Sequence, residues 1–560
     1  MADTTMRQDR DRPPARASRG PAGWTLGAAA IAAAVLMPIG AVLWLALAPE
    51  TNIWPHLVAT TLPRYFTNSL ILMAGTGALS VCVGTGAAWL VAMHDFPGRR
   101  WFGWLLLLPL AVPGYLGAYA LVDFLEYAGP VQTGLRGIFG WTSSRDYWFP
   151  EIRSPGAAIL VLSASLYPYV YLLARAAFEE QSSGTLDVAR ALGAGPVRRF
   201  VRVGLPLARP AIAAGAAIVM METLADFGTV DHFAVQTLTT GIFSVWREAG
   251  NPGGAAQIAC VILGLVLVIA GAERISRRGG RFHRLGREDR PVTRTPLPGL
   301  SGAVAAVACA LPVATGFLLP VGVLSEHALS TPEAWGVPGL GRAFWATVWT
   351  GGAAAGLTVL AAIFMVYGVR LSGRMAPRRL LPVTTLGYAA PGAVLGVGIL
   401  IPLAAADNWV ADRWLALTGT DPGLIVTGSA IAVVYAYAVR FFAIAQGAVD
   451  AAMGRVSPNL PLAARALGQT AGGALRRVYV PIMRGSVAVA LLLVFVDCVK
   501  ELPATLLLRP FGFNTLATRT YERASLEKIA EAAPSGLMVI AVSLCAVALL
   551  ARRVGRGGRL

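Results

Sequence analysis

Apolar runs of about 20 residues recur along this chain, and a run of that length is what a helix needs to cross a bilayer core. No other sequence property restricts the fold as severely, because such runs cannot be buried in one water-soluble domain. Over 560 residues the chain is 56% hydrophobic and only 14% charged, far from a soluble globular composition. Twelve runs are expected as spans, at about 24–48, 67–93, 101–125, 155–178, 208–228, 255–273, 299–325, 344–369, 380–405, 424–447, 484–506 and 535–551. The expected fold class is all-α, a polytopic membrane protein of about 12 transmembrane helices. The run from Trp24 to Ala48 is too long for the apolar region of a signal peptide, roughly 7–15 residues, and reads as the first span.

Charge sets the expected orientation. The formal net charge of +17 comes almost wholly from arginine. These arginines cluster in alternate loops, the positive-inside pattern, so no nucleic-acid partner is expected. The tail 1–21, the basic linker 274–297 and the tail 553–560 are all basic and read as cytoplasmic, as do Arg99-Arg100 and Arg374 to Arg379. The loops 126–153 and 406–423 mix acids and bases and read as external. Two blocks of six spans result, 22–273 and 298–552, each starting and ending on one side. They are parallel repeats about an axis along the membrane normal. The five cysteines all lie in apolar runs with no Cys-x-x-Cys pair, so neither a disulfide framework nor a metal site is implied.

A repeated loop connects the fourth and fifth span of each block. Asp187-Val188-Ala189-Arg190-Ala191-Leu192-Gly193 runs on to Leu205-Pro206, and Leu462-Ala463-Ala464-Arg465-Ala466-Leu467-Gly468 runs on to Val480-Pro481. Ala-Arg-Ala-Leu-Gly is identical, and the step from glycine to proline is the same in both. Leu186 to Leu192 holds good helix formers, and Gly193 or Gly468 can take the left-handed conformation that ends a helix. One copy alone would read as an ordinary basic loop; two at equal spacing point to a shared mechanical task. The same offset pairs Glu222 with Asp497 and Asp226 with Glu501. After a small insertion, Thr237-Leu238-Thr239-Thr240 pairs with Thr515-Leu516-Ala517-Thr518.

These copies resemble the Glu-Ala-Ala loop of ABC-importer permeases, with the acid kept as Asp187 and lost at Leu462. Glu222 to Thr229 and Lys500 to Leu516 are further similar to the fused, two-half permeases of the ferric-iron group, within a wider group that includes thiamine and aminophosphonate permeases. The resemblance implies the type I importer permease fold in the inner membrane of a bacterium, with both termini cytoplasmic. It implies that Asp187, Ala189, Arg190, Ala191, Leu192, Gly193 and Pro206, with Ala464, Arg465, Ala466, Leu467, Gly468 and Pro481, couple the chain to two copies of a cytoplasmic ABC ATPase. An extracytoplasmic substrate-binding protein would deliver the cargo. The chain has no phosphate-binding Gly-x-x-x-x-Gly-Lys-[Ser/Thr] loop. ATP and Mg are therefore expected on the partner ATPase, with no cofactor and no covalent chemistry on this chain.

Glu222, Asp226, Asp497 and Glu501 are the candidate translocation residues. Acids inside a span are costly and point to function by default, and carboxylate oxygen suits a hard cation. A structural alternative stands beside this: Lys500 could pair with Asp497 or Glu501, and Glu222 or Asp226 could cap loop backbone. No metal site is assigned. The alternative from another class is a twelve-helix secondary transporter, suggested by His94 to Arg100, in which the repeated loop has no place.

Overall fold

A computed structural model describes residues 22–181, 188–278, 294–372, 380–385, 387, 390–457 and 459–557. The tail 1–21, Asp187, residues 279–293 of the central linker, Arg374 to Arg379 and residues 558–560 lie outside the described residues. Ten described helices are long and apolar enough to cross a membrane, and two bent pairs bring the number to twelve. They match the twelve apolar runs one to one, and the fold is all-α. Among the described residues one two-residue parallel pairing, His94–Asp95 with Thr295–Pro296, ties the end of the linker to the loop after the second span.

Three spans depart from a plain reading of hydropathy. The third is bent by 92° between Arg99–Ala111 and Gly114–Phe139. Its break lies at Pro113, which has no N–H to continue the helix and holds Val112 extended at φ −100°, ψ 113°. The ninth breaks at the equivalent Pro391: a short helix Leu380–Thr384 precedes it, and the long helix runs from Gly392 to Thr418. Residues 406–418, expected as loop, are therefore helical. The tenth bends by 51° between Ile431–Arg440 and Phe442–Gly454. Hydropathy runs unbroken through Pro113 and Pro391, so it could not mark them, whereas the bend in the tenth span falls at Arg440, a charge in its apolar run. The last helix, Ile529–Gly557, also continues into the expected tail.

The halves interlock. The first span, Gly23–Leu47, packs on the eighth and ninth spans of the other half as well as on the sixth of its own. Trp24 stacks on Phe364 at 4.6 Å, and Tyr435 Oη donates to the Ala34 carbonyl at 2.6 Å. Reciprocally, the seventh span, Gly299–Ser330, puts Ala305, Cys309 and Val313 into a core with Tyr167, Val170 and Tyr171. Each repeat thus lends its first helix to its twin, although the sequence repeat is contiguous.

The threonine motifs show how closely the repeat is kept. Thr237 and Thr515 each cap a helix by a reciprocal capping box with Thr240 and Thr518. The next N–H is held by a hydroxyl from the second span of the same half: Leu238 N donates to Ser69 Oγ at 3.0 Å, and Leu516 N to Thr347 Oγ1 at 2.7 Å. Ser69 and Thr347 are separated by the same interval as the two motifs, a correspondence that sequence reading missed.

Candidate coupling loops and translocation cavity

The described part of the first loop starts at Val188. There the helix ends with Gly193 N–H on the Arg190 carbonyl at 3.0 Å and Ala194 N–H on the Ala189 carbonyl at 3.0 Å. In the second loop Gly468 N–H bonds Arg465 at 2.9 Å and Gln469 N–H bonds Ala464 at 3.0 Å. Both are Schellman closures, with φ of 78° at Gly193 and 80° at Gly468. Nothing lies within 4 Å of a Cβ placed on either glycine. The requirement is therefore for the left-handed backbone and not for space. Leu192 and Leu467 follow the motif outward, 81% and 82% exposed. Arg190, Ala191, Arg465 and Ala466 are exposed, whereas Ala464 is buried and Ala189 half-buried.

Between each loop and its span the helix widens by one π turn, Phe200–Gly204 in the first half and Leu475–Tyr479 in the second. Each turn ends two residues before the motif proline, Pro206 or Pro481. That proline lacks an N–H for the carbonyl four residues back and its ring pushes on that carbonyl; a wider turn accommodates both effects. A third π turn, Ala314–Leu318, stands in the same relation to Pro320; a fourth, Ser244–Glu248, lies at the end of its helix and has Gly250 in place of the proline.

All four candidate acids line one cavity of about 150 Å³. Asp226 and Glu501 close the fifth and eleventh spans, and each caps the short helix that follows. Asp226 Oδ1 accepts from Thr229 N at 3.0 Å and Val230 N at 3.2 Å, and Oδ2 from the Thr229 hydroxyl at 2.9 Å. Glu501 accepts from Ala504 N and Thr505 N, both at 3.1 Å, and from the Thr505 hydroxyl at 2.9 Å. The structural alternative thus describes these two carboxylates well. Glu501 also receives Arg440 Nη1 at 2.8 Å, with the two side chains 1% and 12% exposed.

The broken third and ninth spans deliver their helix starts to these caps. A Cβ on Gly114 would meet Thr229 Oγ1 at 2.8 Å and Asp226 Oδ2 at 3.5 Å. One on Gly392 would clash with Arg440 Nη1 and Glu501 Oε1. Glycine after proline is what lets the new helix begin against a carboxylate.

Glu222 and Asp497 lie one turn earlier, both within electrostatic reach of Tyr169. Asp497 Oδ1 is 3.3 Å from Lys500 Nζ, which also donates to the Leu110 carbonyl at 3.2 Å. The cavity wall therefore holds four carboxylates against two cations, Arg440 and Lys500. Among the described residues no three His, Cys, Asp or Glu side chains converge to hold a metal ion. Sequence reading missed Arg440 and Tyr169. Arg440 could have been found as the one charge inside the apolar run 424–447, since a charge in a span calls for a partner.

Comparison with known proteins bears on this geometry. Residues 80–279 match the family model described as the binding-protein-dependent transport system inner membrane component. The Fe(3+)-transport system permease protein FbpB 2 of Haemophilus influenzae is 24% identical over 513 residues, 86% of this chain and 88% of that one. Shorter relatives match one half. The molybdenum permease ModB of Escherichia coli is 28% identical over 36% of this chain and 90% of its own length. The sulfate permease CysT of the same species is 24% identical over 44% of this chain and 88% of its own. The chain is thus similar to the binding-protein-dependent ABC-import permeases, multi-pass inner-membrane subunits that work with a separate ATPase and a substrate-binding protein. It carries two repeated halves in one polypeptide and matches the Fe(3+) permease across both. The secondary-transporter alternative is set aside by this match.

Proposed function

We propose that this chain forms the membrane pathway for ferric iron in an ATP-driven importer. The carrying observation is the cavity, where four carboxylates face two cations. That excess of negative charge suits a hard cation with oxygen preference and opposes an oxyanion such as molybdate or sulfate. A relative that matches both halves is named for Fe(3+) transport, which supports the same reading. Two ATPase copies, carrying ATP and Mg, dock on the loops at Gly193 and Gly468, one per half. Both termini face the ATPases in the cytoplasm. Closure of the ATPase dimer moves both loops, and the rigid helix after each passes that motion to the acids at its far end. Glu222 and Asp497 hold the cargo loosely, since conduction requires release.

The test is iron uptake by vesicles containing the whole importer, with molybdate, sulfate, thiamine and an aminophosphonate as competing cargoes. Glu222→Gln with Asp497→Asn should slow iron uptake at least about tenfold while assembly and ATP hydrolysis persist. Undiminished uptake at equal assembly would reject the pathway role of this pair. Uptake of another cargo in place of iron would reject the cargo.

A further inference from the structure

All but two of the 47 lysine and arginine residues are arginine; the exceptions are Lys500 and Lys528. Lys528 lies at the surface, 51% exposed, beside Glu531. Lys500 lies in the acid cavity. The difference in chemistry is large: a guanidinium is a planar fork suited to a fixed bidentate partner, and an ammonium is a compact point charge on a flexible stem. The cavity contains one of each, and they are held differently. Arg440 is locked onto Glu501 at 2.8 Å, inside a carboxylate already fixed by helix caps. Lys500 makes one longer contact with Asp497, at 3.3 Å, with both side chains more open at 18% and 26% exposure.

The second contact of Lys500 is the more informative. The turn Leu108–Ala111 is a 3-10 helix, whose next N–H on the Leu110 carbonyl would come from residue 113. Residue 113 is proline and has no N–H. Lys500, from the other half of the chain, donates to that carbonyl at 3.2 Å. A carbonyl oxygen at a helix break and a carboxylate are the donors that hard cations take from proteins. Ala225 occupies the position equivalent to Lys500 in the first half, so the device occurs once, on the seam between the repeats.

We propose that the Lys500 ammonium occupies a cation site formed by Asp497 and the Leu110 carbonyl, as a tethered counter-ion that a multivalent cation displaces. At rest the ammonium fills the site and bridges the two halves. An arriving cation with higher charge takes Asp497 and Leu110, the lysine swings away, and the bridge opens. When the cargo leaves, the tether returns and closes the path to small ions. This rests on reading the cavity as a cation path, but not on iron being the cargo.

Lysine scarcity makes the test direct on the native chain. The assembled importer is treated briefly with a small amine-acylating reagent, with and without terbium as a hard trivalent probe, and Lys500 and Lys528 are quantified by peptide mass spectrometry. Terbium should raise acylation of Lys500 several-fold and leave Lys528 unchanged. In Asp497→Asn, Lys500 should be reactive from the start and indifferent to terbium. As a second measurement, Lys500→Gln should bind terbium at least about tenfold tighter than wild type, because a like charge has left the site. Lys500→Arg should not. Unchanged Lys500 acylation at saturating terbium would overturn the proposal, as would a terbium affinity in Lys500→Gln equal to wild type. Loss of iron uptake preference with the terbium effect intact would instead sink only the identity of the cargo.

Discussion

Asp226 and Glu501, 275 positions apart, make the same cap: each carboxylate accepts the backbone N–H groups three and four residues ahead. What surrounds them differs. Glu501 carries the buried Arg440 and Asp226 does not. A cap kept in both repeats has thus become asymmetric by the addition of an arginine.

That asymmetry separates capping from charge. Asp226→Asn keeps an oxygen for Thr229 and Val230, so assembly and uptake should stay near wild type. Glu501→Gln removes the charge that faces Arg440 and, because Ala504 N and Thr505 N are held by different carboxylate oxygens, also gives up one cap; breaking a buried pair from one side costs about 3–5 kcal/mol. The thermal midpoint of the purified importer should therefore fall for Glu501→Gln and for Arg440→Met. The double variant should recover much of the loss. Equal midpoints for Asp226→Asn and Glu501→Gln would contradict the assignment.

The two loop glycines should respond to backbone, not bulk. An L-residue in the left-handed region costs about 1–2 kcal/mol, with asparagine tolerated best. Gly193→Asn with Gly468→Asn should keep ATPase co-purification and transport. The double valine variant should lose both while the spans still insert. Because open space surrounds each Cβ position, a double valine variant with normal coupling would show that the helix ends do not matter.

The motif prolines should matter through the π turn. Pro206→Ala with Pro481→Ala restores a donor and removes the ring, so each widened turn should relax to α-helix. One residue of slip turns the loop by about 100° relative to its span. Cross-linking of a cysteine on each loop to the ATPase should drop, and stimulated ATP hydrolysis with it. Pro320→Ala makes the same change away from the loops and should leave coupling intact. If all three behave alike, the turns are packing features without a part in coupling.

Much of this was legible in one dimension. A span announces itself by length and apolarity, and a glycine-ended helix by a local pattern, so the twelve spans and both loop closures could be read without coordinates. Pro113 and Pro391 were visible too, but hydropathy does not record a bend, because both sides of the break are apolar. The four acids were found by their pairing at one offset. Their sharing of a single cavity was an expectation from symmetry until the spans were packed.

The sequence by itself determined the membrane class, the repeat, and the local stereochemistry of glycine and proline. Each depends on neighbours within a turn or on composition over one span. Tertiary structure alone decided that the first helix of each half packs on the other, that Arg440 answers Glu501, and that Lys500 reaches Leu110 across 390 residues. Such partners are chosen by the cost of leaving a charge or a carbonyl unmatched in an apolar interior, and that cost is settled only once the helices are packed.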